Sequence, residues 1–278
     1  MVKQLGIFFL HAVMLSLLVL GFTTTAHGQT TIFERRTSDD TRRQELLTLF
    51  QQVSEDYKEK ERVFRIAKAQ WESLDTLASL EELIGQTRVI LVARDRVAVT
   101  YAELILDSLE KSTGIEVTQK EISIAEVKKQ IDWHQRHWAE SEKANTRELV
   151  NQRTGEFADN SEQFVQDTER ALSLLAIGRL QTVIDKADAL YKRILDYYDE
   201  HPGDTTAQVA RQQKINQVEQ RRTQLVELMR KARVPSEDRK KNQRGFSSST
   251  TINLLNEPYA VTSQYVGYLY ELALAAGE

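Results

Sequence analysis

A chain of 278 residues with 37 Lys and Arg against 41 Asp and Glu carries a formal charge of −4 and has no cysteine. This mildly acidic balance gives no sign of the basic domain by which nucleic-acid-binding proteins hold phosphates, and the missing cysteine excludes a disulfide framework and an acylated lipobox thiol. Only three prolines interrupt the chain, which predicts long unbroken elements.

Residues 1–28 hold one Lys, Lys3, ahead of an apolar run from Leu5 to Phe22, and close on Ala26-His27-Gly28. A positive start, an apolar middle and a small-x-small ending predict a secretory signal peptide cut after Gly28. The alternative reading is a retained anchor, since about 18 apolar residues just span a bilayer. Loss of Lys3 takes the formal charge from −4 to −5.

From residue 29 to 232 the apolar residues follow a helical period. The series Leu46, Phe50, Val53, Tyr57, Lys60, Phe64, Ala67, Trp71, Leu74, Ala78 alternates steps of four and three, the spacing of a heptad seam. Ser38 or Asp39 caps its start. Ser79-Leu80-Glu81-Glu82 is a capping-box pattern that opens a second helix, with Gly114 as its stop. Between Val89 and Leu106 the only charged residues among the apolar ones are Arg94, Asp95, Arg96 and Glu103. A helix apolar all round is buried all round, so this is the expected central helix, and Arg94-Asp95-Arg96 is expected to be an internal ion pair.

Thr118-Gln119-Lys120-Glu121 opens a third helix with the seam Ile124, Val127, Ile131, His134, Trp138, Ser141, Asn145. The polar end of that seam is expected to fray or stand exposed, the alternative being a polar cavity. Gly155 and Asp159-Asn160-Ser161 predict the next break. The fourth helix carries Ala176, Leu180, Val183, Ala187, Leu190, Ile194, Tyr197 and stops at His201-Pro202-Gly203-Asp204; the fifth carries Ile215, Val218, Arg222, Leu225, Met229, Ala232. Short turns make sequential helices antiparallel neighbours.

At Val234-Pro235 the texture changes. Residues 233–250 are basic and serine-rich and read as a flexible linker; residues 251–278 read as a Tyr-rich C-terminal helix on that tether. The fold predicted is all-α: an elongated antiparallel bundle of about five long helices with coiled-coil-like heptad seams, plus a tethered C-terminal helix.

Two constellations carry functional expectations. In DWHQRHWAES, residues 132–141, His134 and His137 are three apart on one helix side with Glu140 a further turn on, which makes the three candidate metal ligands. The plainer reading is a pair of imidazoles in a Trp-lined seam, their polar edges reaching a neighbour's carboxylate. Tyr259, Tyr265, Tyr268 and Tyr270 crowd the C-terminal helix, and tyrosine favours interfaces, so these are candidate partner contacts; the alternative is a helix docked onto its own bundle. Gly-x-Ser-x-Gly, His-Glu-x-x-His, a phosphate-binding glycine loop and a nucleophilic Cys are all missing from the sequence, so no enzyme and no cofactor are predicted. The functional expectation is an exported structural or protein-interaction protein of the cell envelope, periplasmic or extracellular, meeting a protein partner or itself. Nucleic acid is not an expected partner, and membrane contact is expected only through an uncleaved signal sequence. The alternative is a soluble periplasmic or extracellular helical-bundle carrier of a metal or small ligand.

Overall fold

The structure, a computed structural model, describes residues 38–203, 205–233 and 248–276; the predicted signal peptide and most of the predicted linker lie outside them. The described residues form six helices: α1 (Ser38–Leu74), α2 (Leu77–Lys111), α3 (Val117–Ser141), α4 (Arg147–Glu200), α5 (Thr205–Arg233) and α6 (Ser248–Ala276). The protein is all-α and its long helices pack as bundles, with a C-terminal helix after the rest. No described helix is long and apolar enough to cross a membrane.

The chain divides into two compact units. The first comprises the described residues up to Lys111 and Glu121–Ala171; the second comprises Ser112–Lys120 and the residues from Leu172 onward. Helix α4 therefore supplies its first turns to one unit and its remainder to the other.

In the first unit, α1 lies antiparallel on α2: Arg43 Nη1 donates to Ser108 Oγ at 3.0 Å, and the Phe50 and Tyr101 rings sit 5.9 Å apart. The α1 seam does its work through Phe50, Tyr57 and Ala67, which are buried, and stops working at Leu74, which is exposed. Along α2 the run Ile90, Leu91, Ala93, Val97, Ala98, Val99, Tyr101, Ala102, Leu104, Ile105 is buried, as its all-round apolar surface predicts. Each Ile, Leu or Val of this run contributes about 1.5–3 kcal/mol by leaving water. Helix α3 runs antiparallel to α2 through Lys128 and Glu110 (3.5 Å), and the early part of α4 runs antiparallel to α3 through an Arg170–Glu126 ion pair.

In the second unit α4, α5 and α6 run up, down and up. Tyr191 and Asp188 of α4 meet Glu219 and Arg222 of α5, Lys214 of α5 meets Glu271 of α6, and Tyr265 of α6 returns to Asp188. The core is Leu180, Ile184, Tyr191, Ile194, Tyr198, Val218, Leu225, Met229, Leu255, Val261, Tyr265, Leu269 and Leu272 with smaller neighbours. The C-terminal helix is thus a docked member of a three-helix bundle. Pro258 lies inside it, and the Thr262 hydroxyl donates to the Pro258 carbonyl at 2.7 Å.

Several helix ends differ from their predicted positions. Thr76, not Ser79, caps α2: its hydroxyl accepts from the Ser79 amide at 3.2 Å while the Thr76 amide donates to the Ser79 hydroxyl at 3.1 Å. Serine fills the return role of a capping box that Glu or Gln usually takes. The preceding turn uses Asp75 at φ 46°. Glu116, not Thr118, caps α3, its two carboxylate oxygens each accepting a backbone amide at 2.9 Å from Thr118 and Gln119. Those amides hold its pKa below the ordinary carboxylate value. Nor does α4 break at Gly155 or at Asp159-Asn160-Ser161; it runs through both. Gly155 faces open space, Asn160 donates across to Gln130, and Ser161 bonds back to Ala158 within the helix. An exposed glycine weakens a helix by only about 1 kcal/mol, which a long packed helix absorbs. The true break is 142–146, closed by Thr146, whose hydroxyl accepts from the Leu149 amide.

Candidate functional site

Helix periodicity brings Ser123, Gln130, His134, His137 and Ser141 to one stripe of α3, and all five are buried. The exposure expected at this end of the seam is overturned: it lines a polar interior, and only Asn145, beyond the helix end, is exposed. The reason is Asp95. Positioned on α2 between two arginines, it points inward while they point away. The Arg94 guanidinium lies 5.8 Å over the Phe157 ring, and that of Arg96 lies 4.8 Å over Trp138. The expected Arg–Asp–Arg ion pair is therefore replaced by cation–π contacts and by a different set of partners for the acid.

Those partners are the two histidines. His134 Nδ1 lies 2.7 Å from Asp95 Oδ1, and His137 Nδ1 lies 2.6 Å from Asp95 Oδ2. Asp95 is 0%, His134 1% and His137 3% exposed. One carboxylate thus meets a ring nitrogen on each oxygen, which replaces the water that burial removes. Nε2 of His137 faces the Arg153 carbonyl of α4 at 2.9 Å. Nε2 of His134 is buried and has no hydrogen-bond partner among the described residues, as is true of Ser123 Oγ and Ser141 Oγ on the same stripe. Aromatic rings wall the cluster: Trp133 stacks on His137 at 4.8 Å, and Phe164 meets His134 edge-on at 4.8 Å.

Glu140 stands apart from the histidines. It is paired with Arg153 at 2.6 Å. The candidate ligand set His134, His137, Glu140 is not brought to one point, and among the described residues no group of three or more His, Asp or Glu side chains converges to hold a metal ion. Asp95 is the residue the sequence reading missed: its partners are 39 and 42 positions away.

Burial works against a charge on the His137 ring, but the Asp95 hydrogen bond and charge, the Arg153 carbonyl and Glu156 outweigh it, so its pKa stands above the ordinary imidazole value. A second polar network lies further along the same helices. Gln130 and Gln163 each donate to the buried Asp167 carboxylate at 2.7 Å.

The four candidate contact tyrosines separate into two pairs. Tyr265 is fully buried, its hydroxyl donating to Asp188 at 2.6 Å, and Tyr268 packs against the core. Burial and the Asp188 charge push the Tyr265 phenol far up. These two serve the fold and leave Tyr259 and Tyr270, 48% and 64% exposed, as available surface. Val266 and Leu274 are exposed on the same side of α6, since offsets of 7, 11 and 15 from Tyr259 return to one helical face. No family model, no curated protein and no solved structure matches this chain, so its function is argued from this geometry.

Proposed function

We propose that the chain is an exported helical protein of the cell envelope that acts by presenting helix surfaces to a protein partner or a second copy, without chemistry of its own. The observation that supports this reading is the outer face of α6, where Tyr259, Val266, Tyr270 and Leu274 are exposed together on a helix whose inner face is fully used. Apolar side chains gathered on one exposed face favour contact with another surface. Export rests on the sequence of residues 1–28 alone. The test places a photo-cross-linking residue at Tyr270, and in a control at exposed Lys58 of α1, in the full chain within its own envelope. The expected result is a leader-free protein and one discrete adduct from position 270, absent at 58 and lost with Tyr259→Ser and Leu274→Ser. An adduct of twice the chain's mass identifies a second copy. Retention inside the cell, or the same adducts from both positions, overturns the proposal.

A specific observation keeps the carrier reading in view: His134 and His137 do face an acid on a neighbouring helix, and Ser123, His134 and Ser141 each bury an unpartnered polar atom. Glu140 is turned away to Arg153. Native mass spectrometry of the protein taken from its own envelope separates the readings, because a carrier arrives with stoichiometric extra mass.

A further inference from the structure

The His137 ring lies between two acceptors. A carbonyl oxygen accepts and never donates, so Nε2 opposite the Arg153 carbonyl carries a hydrogen. The Asp95 carboxylate already accepts from His134 on one oxygen and needs a donor on the other, so Nδ1 of His137 carries a hydrogen too. A ring with both nitrogens protonated is an imidazolium cation. It ties three helices together: α2 through Asp95, α3 through itself and α4 through Arg153.

We propose that the Asp95–His137–Arg153 chain is a proton-operated latch, which fastens the start of α4 to α2 and α3 while His137 carries both ring hydrogens and releases it when one leaves. The hydrogen that leaves is the one on Nε2, because a carboxylate is a stronger acceptor than a carbonyl and holds the Nδ1 hydrogen in place. The bare Nε2 lone pair then faces the lone pairs of the Arg153 oxygen, and the contact with α4 opens.

The charged groups around the ring are arranged for this. From α2, Asp95 touches it, while Arg94 and Arg96 lie over Phe157 and Trp138. From α3, His134 shares the carboxylate, and Glu140 is held by Arg153. From α4, Glu156 acts on it at longer range and is itself paired with Arg153. One acid touches the ring and the nearby guanidinium is paired with two others, and of the two histidines on that acid only His137 has an acceptor at both ring nitrogens. With a folded pKa above the ordinary value, the latch is fully engaged below about 6.5, the unfolded imidazole value, and is lost as the pH rises through the folded value.

The test is made on the full chain. Long-range nitrogen-15 spectra of the histidine rings are followed from pH 5.5 to 9, beside amide exchange corrected for the intrinsic rate. Two ring N–H groups are expected on His137 at pH 6 and one at high pH. The opening constant for amides from Val150 to Phe157 is expected to stay flat below about pH 6.5 and to rise between there and the folded pKa, by at most about tenfold per pH unit, the slope of one released proton, while amides of α5 do not follow. His137→Gln, which carries no titratable ring, is expected to flatten the profile; should that variant fail to fold, the wild-type titration decides alone. A single ring N–H on His137 at pH 6, a titration that leaves α4 opening unchanged, or a His137→Gln protein with the wild-type profile overturns the proposal.

Discussion

The two units reach burial by different chemistry. Among the described residues, the buried polar side chains of the first unit include Asp95, Asp107, Gln130, His134, His137 and Asp167, whereas the second unit buries only Ser173 and Thr262. In the second unit Tyr265 reaches Asp188 and Tyr191 reaches Glu219 at the rim, burial and the Glu219 charge pushing the Tyr191 phenol up to about 12, while the Tyr198 hydroxyl donates to the Leu272 carbonyl in the interior. An apolar core holds helices together but tolerates sliding, since one Leu ridge resembles the next. A carboxylate that must meet two histidines at once permits a single register between α2 and α3. Specificity of this kind is a known use of buried polar groups, bought against desolvation.

The largest expected effect breaks this contrast at its centre. Asp95→Ala leaves two buried histidines without an acceptor and is expected to destabilise the first unit by about 3–5 kcal/mol, measured by urea unfolding. All three tryptophans, Trp71, Trp133 and Trp138, lie in that unit, so their fluorescence follows it selectively. Replacing Asp95, His134 and His137 together with Leu, which makes the first core resemble the second, is expected to recover most of that loss; a triple variant as weak as Asp95→Ala would refute the account of the cluster as a register device.

A smaller effect tests close packing in the second unit. Gly178 of α4 lies under the loop after α2, where an added Cβ would come within 2.4 Å of the Ile115 side chain. Gly178→Ala is expected to cost about 1–3 kcal/mol by overpacking, read as faster amide exchange in α4 beyond Leu172 with tryptophan-detected unfolding of the first unit unchanged. The smallest effect is at the rim. Tyr265→Phe removes one hydrogen bond to Asp188, which keeps its two contacts with Arg222 at 3.0 and 3.2 Å, and is expected to cost about 1 kcal/mol in thermal unfolding.

Helix existence and type were legible because heptad spacing encodes which side of a helix is buried: Phe50, Tyr57, Val127, Leu180 and Leu225 are buried where the spacing puts them, but Val183 and Leu190 of the fourth seam are exposed, and the buried stripe there runs through Ile184, Tyr191 and Tyr198 instead. The spacing does not encode a partner. His134 and His137 were visible as a pair on one side of α3, but their acid lies on another helix, between two arginines that looked like its natural partners. Helix ends were less legible for a related reason. Thr76 and Ser79 both cap well, and the choice between them depends on where the turn at Asp75 ends. Gly155 resembled a stop because a glycine's own sequence says nothing of whether its site is crowded, as at Gly178, or open, as at Gly155. The tyrosines of α6 were legible as a group, and only packing separated the inward Tyr265 from the outward Tyr270.

The path of the chain through the two units restricts how such a protein can be taken apart. Residues Ser112–Lys120 belong to the second unit, although the chain on either side of them belongs to the first. A single cut after Ala171 therefore yields no clean pair of fragments, since the C-terminal piece lacks the loop that lies against Gly178. A single crossover that carries every residue of the second unit must start at or before Ser112, and so it also carries Glu121–Ala171 of the first.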